Sequence, residues 1–262
     1  MPALTYETSG TVARVTLTRP EVHNAFDDAL IGELTGAFER AAAADTIETV
    51  ILAAEGRSFS AGADLNWMRR MAGYGEAENL ADARALGRLL QAIDGCPKTT
   101  IARVQGAAFG GGVGLVAACD IAVASGRASF CLSEVKLGIV PAVISPFVVR
   151  AIGPRAARRY FQTAERFDAA TAHRLGLVSE LAEDEAAMDQ AIEAILAALA
   201  DGGPLAKRAA KDLVFLAESG PPESVIDETC RRIANIRAGV EGQEGLGAFL
   251  AKRTPSWRQR KA

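Results

Sequence analysis

The sequence predicts an α/β fold that gives way to an all-helical C-terminal region. Three observations carry this reading: short β-branched runs in the first half, amphipathic patterns between them, and a strand signal that fades after about residue 141. "VARVTLT" (12–18), "TVILAA" (49–54), "TTIARV" (99–104) and "DIAVA" (120–124) are short and rich in β-branched residues, as buried strands are. Segments 26–44 and 77–94 repeat apolar residues at three and four, and acidic residues stand early in each, where the helix dipole favours negative charge. Strands alternating with helices make an α/β layer structure. Beyond residue 141 the patterns at 155–162, 168–175, 185–200, 204–217, 222–236 and 243–251 are helical, and no Ser/Gly-rich linker sets them apart. No fixed-period repeat is visible, although successive strand-strand-helix turns are compatible with a spiral.

Composition narrows the function classes. At 262 residues, 49% hydrophobic and 23% charged, the chain reads as an ordinary soluble globular protein with material for a full core. A net charge of −3 supplies no field for nucleic acid or an anionic membrane, so neither partner is expected. Cys96, Cys119, Cys131 and Cys230 show no CxxC spacing, and three lie in apolar runs, which reads as small buried hydrophobes in a reducing compartment. The start "MPALTYETSG" has no signal-peptide pattern, and the weakly polar run 104–119 is shorter than the ~20 residues of a membrane span. A cytoplasmic location is the expectation.

The chemistry must be found among few candidates. There are two histidines, His23 in a loop and His173 on a solvated helical face, and neither sits in a catalytic pattern. No HExxH, Cys/His cluster or acidic cluster is present, so no metal site is expected. Two glycine-rich turns stand out, "FSAGADL" (59–65) after the strand at 49–54 and "GAAFGGGVGL" (106–115) after the strand at 99–104. A turn that opens into a helix leaves its first N–H groups unpaired, ready for an anion or a developing oxyanion. Two such turns converging on one point would suit a single carbonyl oxygen. "GVGLVA" (112–117), with Glu134 further on, also fits a variant of the dinucleotide fingerprint and keeps an NAD(P)-dependent oxidoreductase open. Against it, "QGAAFGG" is a long lead-in for a tight strand-to-helix turn.

"SFSAGADL", "GAAFGGGVGLVAACDIAVAS", "ASFCLSEVKLGIVP" and "ERFDAATAHRLGLV", in this order and spacing, resemble the enoyl-CoA hydratase/isomerase (crotonase) superfamily. The likeness runs from "RPEVHNAF" to "FLAKRTPSW", nearly the whole chain. It implies a crotonase-like spiral of β-β-α turns over 1–200, a helical trimerisation region over 201–262, and a homotrimer or homohexamer. It implies an acyl-CoA thioester substrate, coenzyme A being part of the substrate rather than a separate cofactor. The backbone N–H groups of Ala63 and Gly111 would form the oxyanion hole. Family hydratases commonly carry two glutamates; here the second is Glu134, and the first position is Gly114, twenty residues before it. A lone Glu134 could hydrate a 2-enoyl-CoA or shuttle a proton as a Δ3,Δ2-enoyl-CoA isomerase does, and a catalytically silent acyl-CoA-binding homologue is a further alternative.

For coenzyme A the resemblance points to the "AGAD" loop, with Ala61, Asp64 and Leu65, and to Lys252 of a neighbouring subunit with Phe249 beside it. The texture is nearest the methylglutaconyl-CoA hydratase-like members, which act on carboxylated branched acyl groups of leucine and acyclic terpene breakdown. Segment 66–79 would then form part of the acyl pocket, with Arg69 or Arg70 meeting a substrate carboxylate.

Overall fold

The computed structural model describes residues 2–259. Strand β1 (Leu4–Ser9) pairs antiparallel with β2 (Val12–Leu17), where Ala13, Val15 and Leu17 alternate into the core. Helix α1 (Asp28–Ala43) follows, started by the Asp27 carboxylate, which accepts from the Leu30 N–H. Next come β3 (Thr49–Ala54), β4 (Ser58–Ser60), α2 (Leu65–Met71) and α3 (Glu76–Asp94). Then follow β5 (Thr99–Val104), β6 (Ala107–Phe109) and α4 (Gly111–Ala118), and after them β7 (Ile121–Ser125), β8 (Ser129–Cys131), a single 3-10 turn at Glu134–Leu137, and α5 (Ser145–Thr163).

Three times, therefore, a long strand leads to a three-residue strand and then to helix. The long strands join one sheet in the order β1-β2-β3-β5-β7-β10, parallel except for the first pair, with β10 at Glu180–Ala182. The short strands form a second sheet, β4-β6-β8-β9, with β9 at Phe167–Asp168. This is the expected spiral of β-β-α turns, wound around one hydrophobic cluster that includes Phe26, Phe38, Leu52, Phe59, Leu90 and Phe130. β3 is buried along its whole length, as a parallel strand covered on both faces must be.

The region after residue 141 is not all helix. β9 and α6 (Ala169–Leu175) lead into β10, and both strands close sheet edges that would otherwise expose unpaired backbone. The cysteines also divide: Cys96 and Cys131 are buried, but Cys119 is half-buried and Cys230 exposed.

The chain divides into two units, 1–192 and 193–262. The division falls inside α7 (Glu185–Asp201), whose first turns are tied to the first unit by ion pairs from Arg103 on β5 to Glu185 and Asp189. In the second unit α8 (Pro204–Glu218), α9 (Pro222–Ala238) and α10 (Val240–Leu250) follow, each started by Gly or Pro, with α11 at Ser256–Gln259. Glu241 caps α8 by accepting from the Leu205 and Ala206 N–H groups. Among the described residues no helix is long and apolar enough to cross a membrane. The last residues of the basic tail, 260–262, lie outside the described part.

Candidate active site

The first glycine-rich turn links β4 to α2. Its path is set by Phe26, whose N–H donates to the Gly62 carbonyl (2.8 Å) and whose carbonyl accepts from the Asp64 N–H (2.9 Å). Those two bonds bracket Ala63 in a parallel bridge, so the Ala63 N–H points the other way and finds no acceptor among the described residues. Gly62 has φ +85, and a Cβ there would stand 2.9 Å from the Phe109 carbonyl oxygen and 3.7 Å from the Gly111 nitrogen. Glycine is required on both counts. The same distances show the two turns in direct contact.

The second turn runs from β6 into α4. Gly110, at φ 50 and ψ −121, adopts a backbone conformation closed to other residues, and Gly111 then opens the helix with its N–H unbonded. The Phe26 ring lies directly against the Gly111 α-carbon, leaving no room for a side chain. Ala63 and Gly111 line one cavity of about 250 Å³, with Phe26, Trp67, Met71, Leu86, Ile139, Val140 and Ile144 among its apolar walls. Two free N–H groups on two touching turns face a shared apolar space, the arrangement that holds a carbonyl oxygen gaining negative charge.

Glu134 opens the 3-10 turn after β8 and lines this cavity. Its Oε2 is buried without a hydrogen-bond partner, and Oε1 would stand 3.2 Å from a Cβ at Gly110. Burial pushes the carboxyl above its usual range, opposed only by its own backbone N–H. Asp82 also lines the cavity, but its carboxylate accepts from the Trp67 indole N–H (3.1 Å). Of the two acids, Glu134 is the one with a buried carboxylate oxygen left without a partner.

Other candidates fall elsewhere. Gly114 does not line the cavity: the space in front of it is filled by Ile144, so it marks a packing contact and holds no opening for chemistry. The Asp64 carboxylate is buried and used internally, capping α2 through the Asn66 and Trp67 N–H groups (2.8 and 3.2 Å) and pairing with Arg19 (3.3 Å). It shapes the turn rather than offering itself to coenzyme A. Ala61 and Leu65 are exposed on either side of that turn. Phe249 and Lys252 are exposed in the second unit, at the end of α10.

Segment 66–79 supplies Trp67, Met71 and Asn79 to the cavity, but Arg69 and Arg70 turn away, bonded to Asn66 (2.7 Å) and Asp28 (2.6 Å). The reason is helical: Trp67 and Met71 are four apart on one face of α2, and the arginines occupy the other. His23 joins Ser58 and Arg57 in a turn network, and His173 bonds the Val178 carbonyl; neither lines the cavity. Phe26, Trp67 and Ile144 carry much of the wall. Only the Trp67–Met71 spacing offered a sequence signal, since the other two reach the site through distant contacts.

Comparison with known proteins identifies the family. A family model described as enoyl-CoA hydratase/isomerase matches residues 7–260. An enoyl-CoA hydratase of Alternaria alternata is 38% identical over 96% of this chain and 82% of its own length. The 2,3-dehydroadipyl-CoA hydratase of Escherichia coli is 33% identical, with 95% of this chain and 96% of its own covered. The crystal structure of an enoyl-CoA hydratase from Shewanella pealeana superposes with a TM-score of 0.94 at 47% identity, covering 98% of this chain and 96% of that one. The dinucleotide reading of "GVGLVA" ends here, for those residues lie within the short helix α4 of a chain that matches the enoyl-CoA hydratase/isomerase family model. With its spiral fold and paired turns, the chain belongs to the enoyl-CoA hydratase/isomerase family.

Proposed function

We propose that the protein hydrates a 2-enoyl-CoA with Glu134 as its single acid-base group. The observation that carries this reading is the unpartnered Glu134 carboxylate in a cavity that also presents the free N–H groups of Ala63 and Gly111. The thioester oxygen accepts from both N–H groups. Glu134 takes a proton from water as the water oxygen bonds to Cβ, and the Cα=Cβ electrons move onto the thioester as an enolate. The protonated Glu134 then returns a proton to Cα, so that one water is added across the double bond. A carboxyl raised above its ordinary value by burial is a stronger base than an exposed glutamate, which favours taking the proton from water.

The cavity wall favours an uncharged acyl group. It carries two acids, Glu134 and Asp82, and no basic residue, so a substrate carboxylate would meet repulsion there. The carboxylated, branched substrate is the second reading; its carboxylate, but not its branching, is favoured by the 33% identity to a protein named 2,3-dehydroadipyl-CoA hydratase. Coenzyme A is placed in this proposal at the exposed Ala61 and Leu65, with Phe249 and Lys252 from a second copy of a homotrimer or homohexamer. The exposed Leu205, Val214, Ile226 and Ile233 of the helical region support such an assembly. Free cysteines, two of them buried, support a reducing compartment such as the cytoplasm.

The test is an assay of but-2-enoyl-CoA, a 3-enoyl-CoA and glutaconyl-CoA. Loss of the conjugated thioester absorbance with formation of a 3-hydroxyacyl-CoA, faster on but-2-enoyl-CoA than on glutaconyl-CoA, is expected. Conversion of the 3-enoyl to the 2-enoyl ester without water uptake would establish the isomerase instead, and faster turnover of glutaconyl-CoA would establish the carboxylated reading.

A further inference from the structure

We propose that Ile144 is a specificity-determining residue of the acyl cavity, and that Gly114 is glycine in order to seat it. Gly114 lies inside α4 with ordinary helical backbone, so no unusual φ demands glycine there. Space demands it: a Cβ at 114 would run into the Cγ2 of Ile144, stand 2.9 Å from its Cβ, and lie 3.6 Å from Leu90 Cδ2. Ile144 is 2% exposed, caps the start of α5, and lines the same cavity as Glu134 and Gly111. A β-branched side chain is stiff at χ1, so once seated it presents a fixed wall.

Gly114 is one helical turn beyond the oxyanion residue Gly111, which places the Ile144 contact near the reacting end of the acyl group. The cavity there is walled by the aliphatic Ile144 side chain, and its shape sets which substituents near Cβ are admitted. This inference rests on the hydratase reading, and its test is built to fail separately from it.

The experiment compares wild type, Ile144→Val, Ile144→Ala, Gly114→Ala and the Gly114→Ala/Ile144→Ala pair. For each, kcat/KM is measured on but-2-enoyl-CoA and 3-methylbut-2-enoyl-CoA, and binding of butyryl-CoA and isovaleryl-CoA is measured by calorimetry. Removing wall atoms in Ile144→Ala should raise the branched-to-straight ratio about tenfold, with Ile144→Val moving less in the same direction. Gly114→Ala should lower Tm, and the pair should recover part of that loss because the Cγ2 collision is gone. A folded Ile144→Ala with either ratio, kinetic or binding, within about twofold of wild type overturns the proposal, as do Tm effects that merely add. If wild type hydrates neither ester but the binding ratio shifts as expected, the hydratase reading falls and the role of Ile144 stands.

Discussion

The two turns that meet at the cavity present one N–H each, yet they are built by different means. The first, around Ala63, needs one glycine, Gly62, and is otherwise held by polar side chains: Asp64 caps α2 and pairs with Arg19, Ser60 Oγ donates to the Asn24 carbonyl, and the Asn24 amide donates to the Glu55 and Ser58 carbonyls. The second, around Gly111, is held by the absence of side chains. Gly110 takes a conformation closed to other residues, Gly111 admits the Phe26 ring, and a Cβ on Gly112 would stand 2.6 Å from the Ser60 carbonyl oxygen. A hydrogen-bonded turn loses its shape bond by bond, whereas a sterically defined one tolerates almost nothing. The difference predicts how each will break.

The largest effect is expected at the second turn. Gly111→Pro deletes the N–H and should lower kcat/KM by about two to three orders of magnitude. Gly111→Ala keeps the N–H while pushing Phe26 aside, so it should fall less, and the gap between the two isolates the hydrogen bond. Equal losses would reduce Gly111 to a turn residue. At the first turn, Asp64→Ala should lower stability by about 1–2 kcal/mol through loss of the cap and lower kcat by about tenfold as Ala63 shifts. Asp64→Asn keeps a capping oxygen and should recover most of the stability; thermal unfolding and steady-state rates on both variants check this.

A smaller effect sharpens the comparison at Glu134, which borders Gly110. Burial raises this carboxyl, so its ionised form weakens the fold at neutral pH relative to a neutral side chain. The folded state holds the proton more tightly than the unfolded state, so this disadvantage is absent below the ordinary value of 4.5 and complete only above the raised one. Glu134→Gln should therefore melt higher than wild type at neutral pH, with the gap closing as pH falls through the raised value and gone below 4.5. A gap independent of pH would mean that the carboxylate is not desolvated.

Much of the scaffold was legible because its signals are local. Strands 49–54 and 99–104 and the helices that flank them announced themselves by β-branched runs and helical spacing. β4, β6 and β8, reading SFS, AAF and SFC, were not legible, since three residues cannot display an alternation. At the site, both turns stood out by their glycines, whereas Glu134 was singled out as an acid-base group only through the family resemblance. The roles of Gly114 and Asp64 depended on Ile144 and Arg19, thirty and forty-five residues away, and no local pattern encodes such contacts. Helix α2 did carry a signal, Asp64 followed by Trp67 and Met71 four apart, which accounts for the outward arginines.

The central claim is that one carboxyl, Glu134, moves the proton both ways. Its most direct test is Glu134→Gln on but-2-enoyl-CoA, with turnover and CoA-ester affinity measured on the same preparation. The account predicts a loss of at least about a thousandfold in kcat with affinity within a few-fold of wild type, since the amide keeps the shape of the carboxyl but cannot exchange its proton. Turnover retained within a few-fold would contradict it and pass the proton to another group in the cavity.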